Sequence, residues 1–299
     1  MKPKVLIILG PTASGKSALA VKLAKRLSGE IISADSRQVY RGLDIGSGKI
    51  TKAEMKGVPH HLLDIVSPQK SFSVARYQKL ANQKIKEILK RGKLPIICGG
   101  TGFYLQAIVD GITFPKVAPN KKLRAELARN PPTELFKILE KLDPARSRNI
   151  DRANPHRLIR AIEIAQALGK VPNHEDSPRG DYDFVQIGLN PEPEILKQKI
   201  KTRLAKRLKQ GLIKEVQNLH NQSKLSWSKL EALGLEYRFV ALYLQGKFTK
   251  KELVEKLNTE IWHYAKRQMT WFKRDQRINW IKNATQVKMT LEGTAFKGL

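Results

Sequence analysis

The sequence contains only one cysteine, Cys98, among 299 residues. A single thiol excludes an internal disulfide framework and is typical of proteins kept in a reducing cytoplasm. Cys98 follows the apolar stretch 94–97, so we expect a buried strand residue rather than a nucleophile. The six histidines are scattered, and with one cysteine they do not form the spaced cluster that binds zinc.

Long apolar segments are also missing. No run of apolar residues is long enough to span a bilayer. The short apolar run near the N-terminus leads directly into a glycine-rich motif, which is not the pattern of a secretory signal. We therefore expect a cytoplasmic protein without a membrane-spanning segment.

Acidic residues are scarce relative to basic ones. The 56 lysines and arginines exceed the 27 aspartates and glutamates, which gives a net charge of +29 and a pI near 10.2. Such an excess opposes compaction unless a polyanion relieves the repulsion, and it favours nucleic-acid binding through counterion release. A solvated basic surface is the alternative, but the mixture of basic and aromatic residues at 266–274 favours a nucleic acid as partner.

The most informative motif lies near the N-terminus and fits G-x-x-x-x-G-K-[ST], the phosphate-binding P-loop. It follows the apolar run 5–9 and precedes the helical pattern 18–27. Its glycines allow the backbone to curl so that several N–H groups converge on an anion, and the helix dipole adds to them. The motif consists of Gly10, Pro11, Thr12, Ala13, Ser14, Gly15, Lys16 and Ser17.

Two residues of the P-loop carry specific chemistry. Lys16 supplies a mobile cation for phosphate groups, and the Ser17 hydroxyl can ligate Mg²⁺. The motif therefore predicts that the chain binds a di- or triphosphate with magnesium. It does not say what carries the phosphate groups.

Alternating strand and helix patterns predict the fold. A clear helical pattern covers 73–91, with Gly92 just after its end. Strands separated by helices favour an α/β fold of the P-loop NTPase type, with a doubly wound parallel sheet covered by helices on both faces. The predicted strands are residues 4–9, 30–33, 61–66, 94–98, 184–189 and 278–281.

The pattern changes at residues 119–182, where only short helices are predicted, over 121–129, 133–141 and 154–168. This block lies between two predicted strands, so we interpret it as a helical insertion domain. The core domain would then consist of 1–118 and 183–299. The alternative is that these helices simply pack on the sheet. Residues 283–299 give weak signals, and we expect a loosely packed tail there.

Polar residues follow two of the predicted strands. Because ligands of doubly wound sheets bind at the carboxyl ends of the strands, Asp35 is expected beside the P-loop. Its carboxylate could accept a proton from a nucleophile, lie near bound magnesium or cap a helix, and spacing alone leaves these alternatives open. Thr101 follows Gly99-Gly100 and offers a hydroxyl to the same edge, or caps the next helix.

Together with the P-loop, these segments resemble the tRNA dimethylallyltransferases, also called isopentenyl-diphosphate:tRNA transferases. The resemblance covers about residues 3–282, and the segments occur in the family's order, which makes the match specific. The matching segments are Gly10–Ser17, Asp35–Gly46 (D-S-x-Q-x-Y-x-G-x-D-I-G), Pro59–Asp64 (P-H-H-L-L-D), Gly99–Tyr104 (G-G-T-G-x-Y) and Lys266–Phe272 (K-R-Q-x-T-W-F).

The resemblance implies a reaction. A dimethylallyl group moves from dimethylallyl diphosphate to N6 of the adenine next to the anticodon, position 37, of certain tRNAs, and pyrophosphate is released. The P-loop, Lys16 and Mg²⁺ would stabilise the charge that grows on this leaving group. The resemblance assigns Asp35 as the general base and Thr101 as a residue at the reacting ends of the substrates.

The resemblance also places Arg203 near the diphosphate. Arg203 and Arg207 lie one turn apart on the predicted helix 193–210 and share its face, so a solvated basic face is the alternative.

A tRNA partner follows from the same resemblance, with the target adenine taken out of its stack. The helix around 261–274 can equally be amphipathic, with an apolar core face and solvated cations, and both interpretations can hold. The residues implied to contact tRNA are Asp35, Ser36, Arg37, Gln38, Thr101, Arg124, His156, Arg157, Leu158, Ile159, Arg160, Lys266, Arg267, Gln268, Trp271, Lys273 and Arg274.

The chain departs from the family pattern in three places. Gly234–Tyr237 (G-L-E-Y) stands where Gly-Tyr-Lys-Glu or a similar segment is common, Arg207 stands where Met is common, and His156 stands where Gln is common. No zinc-finger motif is visible at the C-terminal end, which implies the bacterial type.

Two other function classes share some of these features. A small-molecule or nucleotide kinase would use ATP on the same P-loop, but the basic excess and the segment 35–46 oppose it. A non-catalytic RNA-binding protein would have a vestigial P-loop, but Lys16, Ser17 and Asp35 are all intact. We expect a monomeric, magnesium-dependent enzyme.

Overall fold

The computed structural model describes residues 2–172 and 181–286. The chain forms two compact units, Met1–Asp110 with Gly180–Leu299, and Gly111–Arg179. The second unit begins and ends a few residues before the insertion predicted at 119–182.

The first unit is built on a six-stranded sheet in which every pairing is parallel. The strands are β1 Lys4–Leu9, β2 Gly29–Ala34, β3 His60–His61, β4 Leu94–Gly99, β5 Asp183–Leu189 and β6 Ile278–Ile281. Their order across the sheet is β3-β2-β4-β1-β5-β6. The central strands are apolar and buried, as expected for parallel strands covered on both faces, and the predicted α/β fold is confirmed.

The register brings three strand ends together. Leu9 of β1 pairs with Gly99 of β4, and Gly99 also pairs with Ala34 of β2. The residues that follow these strands therefore emerge at one edge of the sheet. These are the P-loop, the segment that begins at Asp35 and the segment that contains Thr101.

The third strand is much shorter than the prediction of 61–66. It contains only His60 and His61, and Val66 contributes an isolated bridge with Tyr40. Leu62 and Asp64 have φ values of 63° and 55°. Because a strand needs negative φ, these two residues end the extended backbone.

The helices of both units are α1 Lys16–Arg26, α2 Lys52–Met55, α3 Val74–Lys90, α4 Gly102–Val109, α5 Lys121–Leu127, α6 Pro132–Leu142, α7 Pro144–Arg148, α8 Pro155–Leu168, α9 Pro193–Lys209, α10 Leu212–Asn221, α11 Trp227–Leu233, α12 Leu235–Leu244 and α13 Lys250–Phe272. Helix α3 matches the prediction: the Ser73 side chain accepts a hydrogen bond from the Arg76 N–H at 3.2 Å, and Gly92 follows with φ of 66°.

Helices cover both faces of the sheet. Apolar residues of α1 pack on one face, and those of α3, α4 and the end of α13 pack on the other. A third cluster joins α9–α13 to Val39 and Leu43, which follow β2. The 23-residue helix α13 belongs to two of these clusters, since Ile261 lies in the third and Phe272 packs against the sheet.

The second unit contains α5–α8 around a small core that includes Leu135, Leu139, Leu158 and Ile162. Helix α7 was not predicted. It begins where the Asp143 side chain accepts the Arg146 N–H at 2.9 Å and Pro144 follows at the first helical position. An aspartate followed by proline was the available signal. Over the described residues of both units, no helix combines the length and apolarity needed to cross a membrane.

Candidate active site

The P-loop connects β1 to α1 through a strained backbone. Gly10, Ala13 and Gly15 have φ values of 148°, 62° and 94°. A Cβ at Gly10 would lie 2.8 Å from the Leu189 carbonyl oxygen, so only glycine fits there. No side chain caps α1, and the buried Ser14 hydroxyl has no hydrogen-bond partner among the described residues. The first N–H groups of α1 and this hydroxyl therefore form a cradle suited to an anion.

Lys16 lies in this cradle with its charge withdrawn from solvent. Its Nζ donates a hydrogen bond to the Pro11 carbonyl at 3.1 Å. Burial lowers the pKa of Lys16, and repulsion from Arg203 lowers it further, against the attraction of Cys98 and Asp35. An arriving anion would relieve this desolvation cost.

Asp35 caps the turn after β2. Its Oδ1 accepts hydrogen bonds from the N–H groups of Arg37 at 2.8 Å and Gln38 at 3.4 Å. Part of the capping interpretation is therefore correct, although the capped element is a turn rather than a helix. Asp35 forms no ion pair within the described part of the chain, so its second oxygen stays available for proton transfer.

Thr101 fixes the same turn from the neighbouring strand end. Its Oγ1 accepts the Ser36 N–H at 3.0 Å, and its own N–H donates to the Ala34 carbonyl at 3.2 Å. The hydroxyl does not cap α4. Thr101 therefore holds the Asp35 turn in place.

A cavity of about 1510 Å³ opens beside the cradle, within the first unit. It exceeds the usual range of small-molecule sites, about 300–1,000 Å³, and so has room for two reactants. The lining includes Thr12, Ala13, Gly15, Lys16, Ser17, Asp35, Ser36, Arg37, Gln38, Cys98, Arg203, Arg207, Glu236, Tyr264, Arg267 and Gln268. Thr101 is not among the lining residues, so its predicted place at the reacting ends stays a prediction.

Arg203 and Arg207 of α9 face this cavity, and the alternative of a solvated basic face is wrong for this pair. Burial lowers the pKa of Arg203 to about 10, and the neighbouring Arg207 contributes to the shift. Arg207 is 6% exposed and donates to the Glu236 carboxylate at 2.5 Å. Sequence spacing indicated the shared face but not the burial or the partner.

The loop 44–48 forms part of the cavity wall, and sequence reasoning missed what holds it. Glu215 of α10 accepts the N–H groups of Asp44, Ile45 and Gly46 at 3.1, 2.6 and 3.0 Å. Its other partner is the Tyr237 hydroxyl, which donates at 3.0 Å. A Cβ at Gly46 would lie 2.7 Å from the Tyr237 ring, so the glycine of the D-I-G segment was the available signal.

Two predicted RNA-contact residues have their side-chain amides engaged inside the protein. Gln268 accepts the Thr12 N–H at 2.8 Å and donates to the Gly100 carbonyl at 2.8 Å. Gln38 accepts the Ser33 hydroxyl at 3.2 Å and donates to the Gly48 carbonyl at 3.3 Å. Both side chains thus brace the cavity wall, and Gln268 is 7% exposed.

In the second unit, the residues of the predicted RNA-contact segment 156–160 differ in their solvent exposure. His156 and Arg157 are exposed, whereas Leu158 is fully buried and Ile159 is 9% exposed. The prediction of RNA contact is therefore corrected for Leu158 and Ile159, whose side chains pack in the core of this unit.

Arg124 and Arg160 are both engaged by Glu163 of α8. Arg124 donates to both carboxylate oxygens at 2.9 and 2.6 Å, and Arg160 pairs with the same group. Burial would raise the pKa of Glu163, but hydrogen bonds from Arg124, Asn120 and Arg160 outweigh it and hold the pKa at about 2. These arginines therefore stabilise the helical unit, whatever else they contact.

The end of α13 has two faces, as expected. Ile261, Ala265, Gln268 and Phe272 are buried. Trp271 packs edge-on against Phe103 with ring centroids 6.3 Å apart. The exposed cations are Lys266, Arg267, Lys273 and Arg274. A basic surface and a packed core therefore coexist on one helix.

The described residues offer few ligands for a magnesium ion. Within residues 2–172 and 181–286, no group of three or more His, Cys, Asp or Glu side chains could hold a metal by itself. Mg²⁺ commonly takes one or two protein oxygens and completes its shell with phosphate oxygens and water. The Ser17 hydroxyl, at the start of α1 and on the cavity wall, fits that limited role.

Comparison with known proteins gives one consistent result. A family model described as IPP transferase matches residues 38–275. The tRNA dimethylallyltransferase of Anoxybacillus flavithermus is 44% identical over 283 residues, which cover 94% of this chain and 90% of the relative.

Solved structures agree. The full-length tRNA isopentenylpyrophosphate transferase from Bacillus halodurans is 37% identical with a TM-score of 0.72, covering 98% of this chain and 96% of that one. A eukaryotic dimethylallyltransferase described as acting on tRNA is 27% identical with a TM-score of 0.81, covering 98% of this chain and 76% of that one. The chain belongs to the IPP transferase family, the tRNA dimethylallyltransferases.

Proposed function

We propose that this chain transfers a dimethylallyl group from dimethylallyl diphosphate to N6 of adenine 37 in tRNA. Family membership supports the reaction class. The observation that carries the proposal is that Lys16, Asp35 and Arg203 line one cavity without forming ion pairs with each other. Cations for a leaving diphosphate and a carboxylate for an incoming amine are therefore available in the same space.

The cradle and its cations bind the diphosphate. As the allylic C–O bond breaks, negative charge grows on pyrophosphate, and preorganised N–H groups and cations stabilise that charge. Lys16 and Arg203 reach the same anion from the P-loop and from α9. The reaction needs no nucleotide, because the P-loop holds the donor's own diphosphate.

The acceptor nitrogen forms a bond to the terminal allylic carbon while the C–O bond breaks and pyrophosphate leaves. N6 then carries one proton too many, and the unpaired oxygen of Asp35 accepts it. Hydrogen bonds from Arg37 and Gln38 to the other oxygen keep the carboxylate oriented. The Ser17 hydroxyl would hold Mg²⁺, and the ion would supply further charge neutralisation of the leaving group.

The acceptor reaches the cavity only if the adenine leaves its stack in the anticodon loop. Arg37 and Arg267 line the cavity and can contact the extruded nucleotide. The exposed cations at the end of α13, with His156 and Arg157 of the helical unit, are candidates for backbone phosphate contacts.

A single incubation tests the function. Unmodified tRNA, labelled dimethylallyl diphosphate and Mg²⁺ are combined without ATP, and the nucleosides are analysed. We expect label on N6 of adenosine 37. Matched tRNA with guanosine at that position should remain unlabelled, because it has no N6 amine.

Two results would contradict the proposal. Phosphate transfer from ATP without prenyl transfer would indicate a kinase. Tight tRNA binding by the wild-type protein, with no transfer at any donor concentration, would indicate a non-catalytic RNA-binding protein.

A further inference from the structure

Two arginines share one wall of the cavity but differ in their partners. Among the described residues, Arg203 forms no ion pair, and its one polar contact is a 3.4 Å hydrogen bond to the Gly48 carbonyl. Arg207 lies one helical turn later on α9 and donates to Glu236 at 2.5 Å. The side chains of Arg207 and Glu236 are only 8% and 9% exposed.

Gly48 brings the two guanidinium groups together. A Cβ at this position would lie 1.8 Å from Arg207 Nη2 and 2.0 Å from Arg203 Nη2. The Glu236 carboxylate is close enough to raise the pKa of Arg203, although burial and Arg207 lower it overall. One buried carboxylate thus lies within electrostatic reach of two arginines and hydrogen-bonds to only one of them.

We propose that Arg207 is a positioning residue that occupies Glu236 and thereby keeps Arg203 unpaired for the donor diphosphate. A buried carboxylate without a cation is costly, so it recruits the nearest replacement when its partner is removed. Without Arg207, that replacement is Arg203. Arg203 would then pair with Glu236, and the cavity would lose the free cation that binds the anion. The identity of this anion rests on the proposed function.

The proposal predicts that the effect of Arg207 depends on Glu236. Arg207→Met should weaken binding of inorganic pyrophosphate with Mg²⁺, measured by calorimetry, by about tenfold to a hundredfold, the range of a hydrogen bond to a charged group. KM for dimethylallyl diphosphate should rise in parallel, with a smaller change in kcat. Glu236→Gln alone should bind pyrophosphate at least as tightly as the wild type. The double variant R207M/E236Q should recover binding to within about threefold, because no carboxylate remains to capture Arg203.

Lys201→Met, an exposed change on the same helix outside the cavity, is the matched control. If R207M/E236Q binds pyrophosphate as weakly as Arg207→Met, or if Arg207→Met binds like the wild type, the proposal is overturned. Should Arg207→Met fail to fold, Arg207→Lys keeps the pair and should bind normally, and weak binding by this folded variant would also overturn it. Pyrophosphate binding needs no turnover, so these results are independent of whether prenyl transfer is the reaction.

Discussion

Two regions of this chain combine cations and carboxylates in opposite ways. In the helical unit, Arg124 and Arg160 enclose Glu163, whose side chain is 2% exposed, and the hydrogen bonds that Arg124 donates to Glu163 raise the pKa of Arg124. In the cavity, burial lowers the pKa of Lys16 and Arg203, and Asp35 pairs with neither.

The charges that stabilise the fold are therefore different from the charges that are available to a ligand. Paired charges lower the energy of the unliganded fold, whereas unpaired buried charges raise it and are relieved by a ligand. The cavity therefore carries a stability cost that diphosphate binding offsets. The predictions based on this contrast test whether a given charge stabilises the fold or binds the ligand.

The largest effect is expected when the cavity carboxylate, Asp35, is replaced. Asp35→Asn keeps an oxygen that can accept the Arg37 and Gln38 N–H groups, so the turn after β2 should persist, but the proton acceptor is lost. We expect single-turnover prenyl transfer to fall by about 10²–10⁴-fold, with tRNA affinity and melting temperature nearly unchanged. Asp35→Ala removes the cap as well and should also lower the melting temperature. An Asp35→Asn variant with normal turnover would exclude the residue as base.

The next effect concerns the unpaired cations. Lys16→Met or Arg203→Met should reduce transfer by about 10²–10³-fold, as expected when a stabilising charge is removed from a leaving group. Because each change removes a buried cation that has no anionic partner, the unliganded protein should melt at the same or a higher temperature. Arg124→Met, the matched change in the helical unit, should lower the melting temperature instead. If Arg203→Met is the less stable of the two, the contrast between the regions fails.

Replacing the paired carboxylate of Glu163 should have a smaller effect, and this effect is on the stability of the fold. Glu163→Gln should cost about 3 kcal/mol, because two arginines lose their buried partner. The exposed Glu140→Gln of α6 is the control and should be neutral.

The contribution of Glu163 to the stability of the fold should depend on pH in a defined direction. The pKa of Glu163 is held at about 2, below its ordinary value of 4.5. A lowered pKa means that the stabilisation is complete above about pH 4.5 and is lost as the pH falls towards 2. Chemical denaturation at pH 7 and pH 3 should therefore show a smaller difference between Glu163→Gln and wild type at pH 3.

The same contrast explains how much the sequence could predict. The cradle and the position of Asp35 follow from contiguous motifs and from strand ends that a parallel sheet brings to one edge. The partners of Arg124 and Arg207 lie 39 and 29 residues away, and no local pattern specifies such pairs. Glu215 and the loop 44–46 are about 170 residues apart, so only the packed fold reveals them.

Burial also decided which members of a motif reach solvent. The segment 156–160 was predicted to contact RNA as a block, but a helix in a small core turns Leu158 inward while His156 stays exposed. Periodicity contained this information, and the resemblance to a family segment obscured it. Helix α7, by contrast, is too short for periodicity and was marked only by its cap.

A third class of charge consists of exposed cations that lie outside the buried clusters of both regions. Replacing them should give the smallest effect. Lys266 and Arg274 lie over the Trp262 and Trp271 rings at 5.8 and 5.9 Å. None of the exposed cations at the end of α13 forms an ion pair within the described part of the chain. Their charges are therefore free to meet phosphate groups.

Neutralising these cations should change the salt dependence of tRNA binding rather than catalysis. Arg267 lines the cavity and is left unchanged. With Lys266, Lys273 and Arg274 replaced by glutamine, the slope of log affinity against log salt should decrease by about 2–3, since each phosphate contact contributes about 0.7–0.9. Turnover at saturating tRNA should stay close to that of the wild type. A control with the same change in net charge replaces three exposed lysines on α3: Lys79, Lys86 and Lys90. Equal slopes for the two variants would show that net charge alone attracts tRNA and that the end of α13 is not its contact surface.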